Sequence, residues 1–360
     1  MSMTKNLHDL GQSLWLDNIT REILDDGTLR RYIEQFSVTG LTSNPTIFDE
    51  AIGKTAAYDK GIRQKADTGM SGEDLFIELA LEDLRRAADL FRPEFDRTKG
   101  LDGWVSMEVS PLLANDTKST LDAALRIHRQ ANRPNLYVKI PGTPAGVPAI
   151  EEAIFAGVPI NVTLLFSREQ YLKVAEAYMR AMERRIAAGL DPKINSVASV
   201  FVSRWDRAVA DKVPQELSNR LGIAIMQRTY KAHCDLIASK RWKDLEAKGA
   251  RKQRMLWAST GTKDPKSPPG LYVEALAAPD TVDTMPEKTL LAFAQSGKLS
   301  GVMTKDGGDA EEMLARFARA GINAEALAEQ LQVDGAASFV KSWIELMQRI
   351  KDKSAALATT

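Results

Sequence analysis

From one end to the other the chain alternates short apolar runs with longer amphipathic ones, and this limits the folds open to it. The short runs fall at 13–19, 37–41, 103–109, 136–140, 160–165, 195–201, 255–259 and 281–285, lengths suited to strands buried on both faces. Between them, residues 73–91 place Phe76, Leu79, Ala80, Leu84, Ala87, Ala88 and Phe91 at helical spacing, after Ser71-Gly72-Glu73-Asp74, which is close to a capping box. Residues 118–130 set Leu121, Ala124, Leu125 and His128 on one face, and the stretch 168–185 is opened by Ser167 with Gln170 three residues on. Strands separated by helices imply right-handed crossovers and a parallel sheet. Eight such units predict an α/β fold, the (β/α)8 TIM barrel, with an open doubly wound sheet as competitor. Trp15-Leu16-Asp17-Asn18-Ile19-Thr20 contains no glycine, so the phosphate-binding fingerprint of a dinucleotide fold is missing after the first strand. The barrel is the expectation.

A barrel with added helices absorbs the 360 residues as one catalytic domain over 1–360, with 305–360 as decorating C-terminal helices. The helical material from Ala310 to Lys353 is expected to pack outside the barrel. Forty-eight basic and 48 acidic residues cancel, which argues against nucleic acid or an anionic membrane as partner. The start, Met1-Ser2-Met3-Thr4-Lys5-Asn6, has no apolar h-region, and no run reaches membrane-spanning length. Cys234 stands alone and suits a reducing compartment, so a soluble, cytoplasmic protein is expected, as monomer or homodimer. His8, His128 and His233 lack metal-ligand spacing, and neither a metal nor a cofactor is expected. The charged tract 240–254 reads as a solvated helix face and loop.

Tyr137-Val138-Lys139-Ile140-Pro141-Gly142-Thr143 carries the chemistry. A lysine in an apolar, β-branched run closed by Pro-Gly should sit on a buried strand, where its charged form is disfavoured and the free amine needed for imine formation is favoured. Alone, it would read more readily as a strand-end lysine reaching solvent. Repetition decides. Seven of the eight candidate strands hold or end in an awkward polar residue: Asp17; Thr42-Ser43-Asn44-Pro45-Thr46; Glu108; Lys139; Asn161 and Thr163; Ser199 followed by Arg204; and Ser259-Thr260-Gly261-Thr262-Lys263. Each buried polar group costs stability unless paired, and chemistry in such barrels sits at the C-terminal strand ends. A lysine with two carboxylates and hydroxyls is the equipment of Schiff-base catalysis.

At these residues the chain resembles the transaldolases. The resemblance covers roughly residues 6 to 300, through Trp15-Leu16-Asp17, Gly40-Leu41-Thr42-Ser43-Asn44-Pro45-Thr46, Ser106-Met107-Glu108-Val109, Tyr137-Val138-Lys139-Ile140-Pro141, Asn161-Val162-Thr163-Leu164-Leu165-Phe166-Ser167 and Ser199-Val200-Phe201-Val202-Ser203-Arg204. It implies an enzyme of the pentose phosphate pathway, moving a dihydroxyacetone unit between sugar phosphates without cofactor. It further implies Lys139 as the Schiff-base lysine, on the fourth strand as counted above. By the same resemblance Asp17 would take the proton of the donor's C4 hydroxyl, and Glu108 with Thr163 would hold the catalytic water. It likewise implies that Asn44, Asn161 and Ser199 would bind the dihydroxyacetone moiety, and Arg204 the phosphate. Fructose-6-phosphate aldolases, the lyase alternative, carry glutamine and tyrosine where this chain has Glu108 and Phe201. A non-catalytic sugar-phosphate-binding barrel should have lost Lys139 or Glu108. One departure stands out: many transaldolases read Ala-Ser-Phe-Arg after the seventh strand, whereas here Ala258-Ser259-Thr260-Gly261-Thr262-Lys263 leaves Lys263 and backbone amides as candidates for the second phosphate contact.

Overall fold

The structure, a computed structural model, describes residues 2–358; Met1 and residues 359–360, the ends of the expected 1–360 span, lie outside the described residues. Eight strands form one parallel sheet: β1 (Ser13–Asp17), β2 (Val38–Thr42), β3 (Val105–Glu108), β4 (Leu136–Pro141), β5 (Ile160–Leu165), β6 (Ser196–Phe201), β7 (Gln253–Ala258) and β8 (Val282–Met285). Their order, β2-β1-β8-β7-β6-β5-β4-β3, brings β2 round to β3. There the Leu41 N–H donates to Trp104 O at 2.9 Å and the Gly103 N–H to Thr39 O at 3.0 Å, closing the barrel. Gly40 permits this closure. A side chain at Gly40 would stand 2.6 Å from both Trp104 O and Trp15 Nε1, so only a residue without Cβ lets the seam approach. The fold is the (β/α)8 barrel with additional C-terminal helices.

Alternation along the strands builds the site's floor. Trp15 and Tyr137 precede Asp17 and Lys139 by one inward position. Tyr137 stacks on Trp104 with ring centroids 4.0 Å apart and meets Trp15 at 6.1 Å. The polar residues above therefore rest on a buried aromatic layer.

Helix ends follow local chemistry. Helix Arg168–Ala187 opens with the expected capping box between Ser167 and Gln170. Helix Gly72–Arg97 runs past residue 91 and through Pro93, and the Ser71 side chain makes no cap bond there, against the capping-box expectation. Gly72 is left-handed at φ 54°, which alters the entry into that first turn. Helix Thr117–Ala131 buries Thr120, Ala123, Ala124, Ile127 and Ala131, so Leu121, Leu125 and His128 edge the buried face instead of forming it.

Two further expectations change. The tract 240–254 is helical over Lys240–Ala247, but Gln253 and Arg254 already belong to β7. Arg254 is buried, its guanidinium donating to Ser13 Oγ and Thr281 O, both at 2.8 Å. A charge in that place closes the barrel's N-terminal floor through hydrogen bonds. Helix Ala310–Arg319 packs on the barrel's exterior helices, whereas helix Ala324–Ala358 does more than decorate, because it lies across the mouth. Gln332 Nε2 donates to Gly142 O (3.0 Å) and Leu164 O (2.9 Å) at the ends of β4 and β5. Further along, Arg349 pairs with Asp49 at 2.6 Å and Lys353 with Asp59 at 2.7 Å. Among the described residues no helix is long and apolar enough to cross a membrane.

Candidate active site

A cavity of about 130 Å³ opens at the C-terminal ends of the strands, lined by Asp17, Asn44, Lys139, Thr163, Ser199, Phe201, Arg204, Ser259 and Lys263 among others. Of the residues expected from the sequence, only Glu108 and Asn161 do not line it, and both lie immediately behind, bonded to residues that do.

Lys139 is buried at the end of β4, its Nζ donating to Glu108 Oε2 at 3.1 Å and to Ser43 O at 3.2 Å. Strand pairing explains the meeting, since Glu108 on β3 is in register with Lys139 on β4. Among the described residues the second oxygen of Glu108, Oε1, is buried without a hydrogen-bond partner, as is Thr163 Oγ1. Burial pushes the Glu108 carboxyl above its usual range; the Lys139 ammonium opposes this, and the Asp17 charge adds to it.

Asp17 ends β1 on the cavity wall, partly open to it. Its Oδ1 accepts from Thr42 Oγ1 at 2.7 Å, and Thr42 in turn shares a 2.6 Å hydrogen bond with Thr284. Among the described residues Oδ2 has no protein partner. Enclosure raises the Asp17 carboxyl, with Lys139, Thr42 and Lys263 pulling the other way. A carboxylate raised by burial is a stronger base.

Below the lysine a polar chain runs across three strands: Ser199 Oγ donates to Asn161 Oδ1 at 2.7 Å, and Asn161 Nδ2 to Ser106 Oγ at 3.1 Å. Asn44 divides its side chain. Its Oδ1 caps helix Pro45–Lys54 by accepting from Ile47 N at 3.1 Å, while the residue also lines the cavity. The cap fixes the orientation of the amide.

Arg204 follows β6 on helix Ser203–Val209, more than half enclosed, with no ion pair among the described residues. Its guanidinium carbon lies 5.2 Å from the Phe201 ring and 5.8 Å from the Phe339 ring. Burial first, then Arg207, lowers its proton affinity, and Glu108 opposes. Ser259, after β7, adopts a left-handed φ of 58°, and its hydroxyl shares a 2.7 Å hydrogen bond with Ser203. Lys263 is exposed at the rim. Ser203, Arg204, Arg207, Ser259, Lys263 and Asp334 line a neighbouring cavity of about 530 Å³, which shares Arg204, Ser259 and Lys263 with the first.

The structure adds residues that the sequence reading did not single out. β8 also contributes: Thr284 lines the cavity, and Asp283, fully buried, accepts from Thr260 Oγ1 at 2.9 Å and so holds the Ser259–Lys263 segment. An aspartate inside Val282-Asp283-Thr284-Met285 is the same signal seen on the other strands. Phe339, from helix Ala324–Ala358, completes the wall. The histidines stay apart from it; His233 is buried against the Tyr171 hydroxyl at 2.8 Å. Among the described residues no cluster of three His, Cys, Asp or Glu side chains could hold a metal ion.

The family model described as "Transaldolase/Fructose-6-phosphate aldolase" matches residues 14–350. Among curated proteins, the chain is 42% identical to a transaldolase of Thermobifida fusca, with 99% of each chain covered. It is 41% identical to one of Saccharopolyspora erythraea, with 96% of each covered. A transaldolase of Thiobacillus denitrificans is 40% identical over 97% of this chain and 100% of its own.

Proposed function

The chain belongs to the transaldolase/fructose-6-phosphate aldolase family and is an enzyme that transfers aldehyde or ketone residues, and we propose that it does so through a Schiff base on Lys139. The observation that carries this is the Lys139–Glu108 contact at 3.1 Å, buried beside Asp17 in one cavity. Donors would be sedoheptulose 7-phosphate or fructose 6-phosphate, and acceptors erythrose 4-phosphate or glyceraldehyde 3-phosphate.

In this reading Lys139 Nζ attacks the donor's C2 carbonyl. Glu108 moves protons through a water held between its unpartnered Oε1 and Thr163 Oγ1 as the carbinolamine loses its hydroxyl. Asp17 takes the C4 hydroxyl proton, the C3–C4 bond breaks, and its electrons flow into the iminium to leave an enamine on the lysine. An aldose phosphate departs, another enters, and the steps reverse. Asn44, Asn161 and Ser199 hold the hydroxyls of the three-carbon unit, Phe201 packs beside it, and Arg204 takes the phosphate. Ser259 and Lys263 lie where a second phosphate contact would fall. Glu108 and Phe201, where the lyases carry glutamine and tyrosine, support transfer over release. The substrates being free sugar phosphates, a cytoplasmic location fits the reading.

Borohydride reduction with fructose 6-phosphate, followed by peptide mapping, tests the assignment. The adduct should fall on Lys139. An adduct on another lysine, or none, would remove the reading.

A further inference from the structure

We propose that Phe339 is a specificity-determining residue. Its ring roofs the lysine and shields the three-carbon enamine from water, so that the unit is passed on instead of being released as dihydroxyacetone. The inference rests on the Schiff-base reading of Lys139. Three observations carry it. First, Phe339 is buried with its ring 5.6 Å from Lys139 Nζ and 5.8 Å from the Arg204 guanidinium, between the reacting nitrogen and the phosphate-side cation. Second, among the described residues it is the one cavity-lining side chain from outside the barrel, all others preceding residue 287. Third, its position is fixed. Gln332, two helical turns earlier, bonds to Gly142 O and Leu164 O, and Ser342, one turn later, bonds to Thr46 Oγ1 at 2.8 Å. At Gly335 the helix lies so close to the barrel that a Cβ would stand 2.9 Å from the Leu164 side chain and 3.1 Å from Arg204. The left-handed backbone of Leu164, at φ 57°, sits where the β5–β6 register shifts, and its carbonyl is one of the two that accept from Gln332.

The chemistry gives the shield its consequence. Release needs a proton delivered to the nucleophilic carbon of the enamine, which gives an iminium. Water then adds to C2, a proton returns to solvent, the C–N bond breaks and dihydroxyacetone leaves. The net cost is one water molecule. Transfer omits the first protonation, because the same carbon bonds to the acceptor aldehyde. Water held at Glu108 and Thr163 serves the imine carbon, and a ring over the lysine restricts access from the solvent side.

The test compares Phe339→Ala and Phe339→Leu with the parent enzyme on fructose 6-phosphate, with and without erythrose 4-phosphate. The ratio of dihydroxyacetone released to sedoheptulose 7-phosphate formed should rise about tenfold in Phe339→Ala and less in Phe339→Leu, which refills most of the space. In D2O the additional dihydroxyacetone should carry deuterium on carbon. A ratio in Phe339→Ala within about twofold of the parent overturns the inference. Should Phe339→Ala not fold, Phe339→Leu and Phe339→Val replace it, and release that does not grow as the side chain shrinks overturns it equally. Borohydride labelling separates the two readings. Labelled Lys139 with an unchanged ratio removes the shield alone; no label in the parent enzyme removes the Schiff base and the shield with it.

Discussion

Lys139 Nζ lies 3.1 Å from Glu108 Oε2, and both side chains are almost entirely withdrawn from solvent. Removing one partner of such a pair leaves a buried charge, unless the survivor changes protonation, as burial already inclines Glu108 to do. Lys139→Ala should therefore fold with Glu108 protonated, yet show no turnover and no borohydride adduct by mass spectrometry. Lys139→Arg should be equally inactive, because a guanidinium stays protonated and forms no imine. An adduct persisting in Lys139→Ala would contradict the assignment.

Asp17 and Glu108 stand on different strands and bond to different groups, Asp17 to Thr42 and Glu108 to Lys139. Asp17→Ala should still form the imine but slow C3–C4 cleavage, so a covalent complex carrying the whole donor accumulates. Glu108→Ala should slow imine formation, leaving less complex at early times. Each should lose about 10²–10⁴-fold in rate. Rapid quench with borohydride distinguishes the two, and identical time courses would count against separate roles.

The sequence exposed these residues because each breaks an apolar strand pattern locally: Asp17, Glu108, Lys139 and Thr163 are polar intrusions among Leu, Val and Ile. Strand existence was legible for the same reason, through run length and alternation. Phe339 was not legible. It is one apolar residue at helical spacing, and what makes it a cavity wall is Gln332 reaching Gly142 across a separation of 190 residues. Arg254 was hidden in the opposite way, because a charged tract masks the point where a strand begins. Arg207 was not singled out from the sequence, because only the fold of helix Ser203–Val209 sets it beside Arg204 and Lys263.

Asp283 gives a pH dependence. Burial lifts its carboxyl from 3.8 to about 7, with Thr260 opposing, and among the described residues its Oδ2 has no hydrogen-bond partner. The folded chain thus keeps a proton that the unfolded chain releases near pH 4. Folding takes up that proton between about pH 4 and 7, so stability falls as pH rises through this window and levels off above it. Holding the charge buried costs about 4 kcal/mol at the upper end. Asp283→Asn keeps an acceptor for Thr260 without the charge, so its stability relative to the parent should improve from pH 5 to pH 8. Urea denaturation at both pH values measures this. A difference independent of pH would mean that Asp283 titrates like an exposed carboxyl.

The final prediction concerns the phosphate. A sugar phosphate brings about two negative charges, and Arg204 alone leaves part of them unmatched. Arg207 and Lys263 face the adjoining cavity with Arg204, and both are exposed where Arg204 is enclosed. Interactions of exposed cations are screened by salt, those of an enclosed one much less. Arg204→Ala should therefore raise KM for fructose 6-phosphate by about 10²-fold, the order expected when a charge-assisted contact of about 3 kcal/mol is lost, with little change for an unphosphorylated donor. Arg207→Ala and Lys263→Ala should raise KM by only a few-fold, and both effects should shrink in high salt. If Lys263→Ala leaves every phosphorylated substrate unaffected, the second contact passes to the hydroxyls and amides of the Ser259–Thr262 segment. That segment is held by the Ser259–Ser203 and Thr260–Asp283 hydrogen bonds, so Thr260→Val, which removes the donor to Asp283, combined with Lys263→Ala would then move KM where Lys263→Ala alone does not.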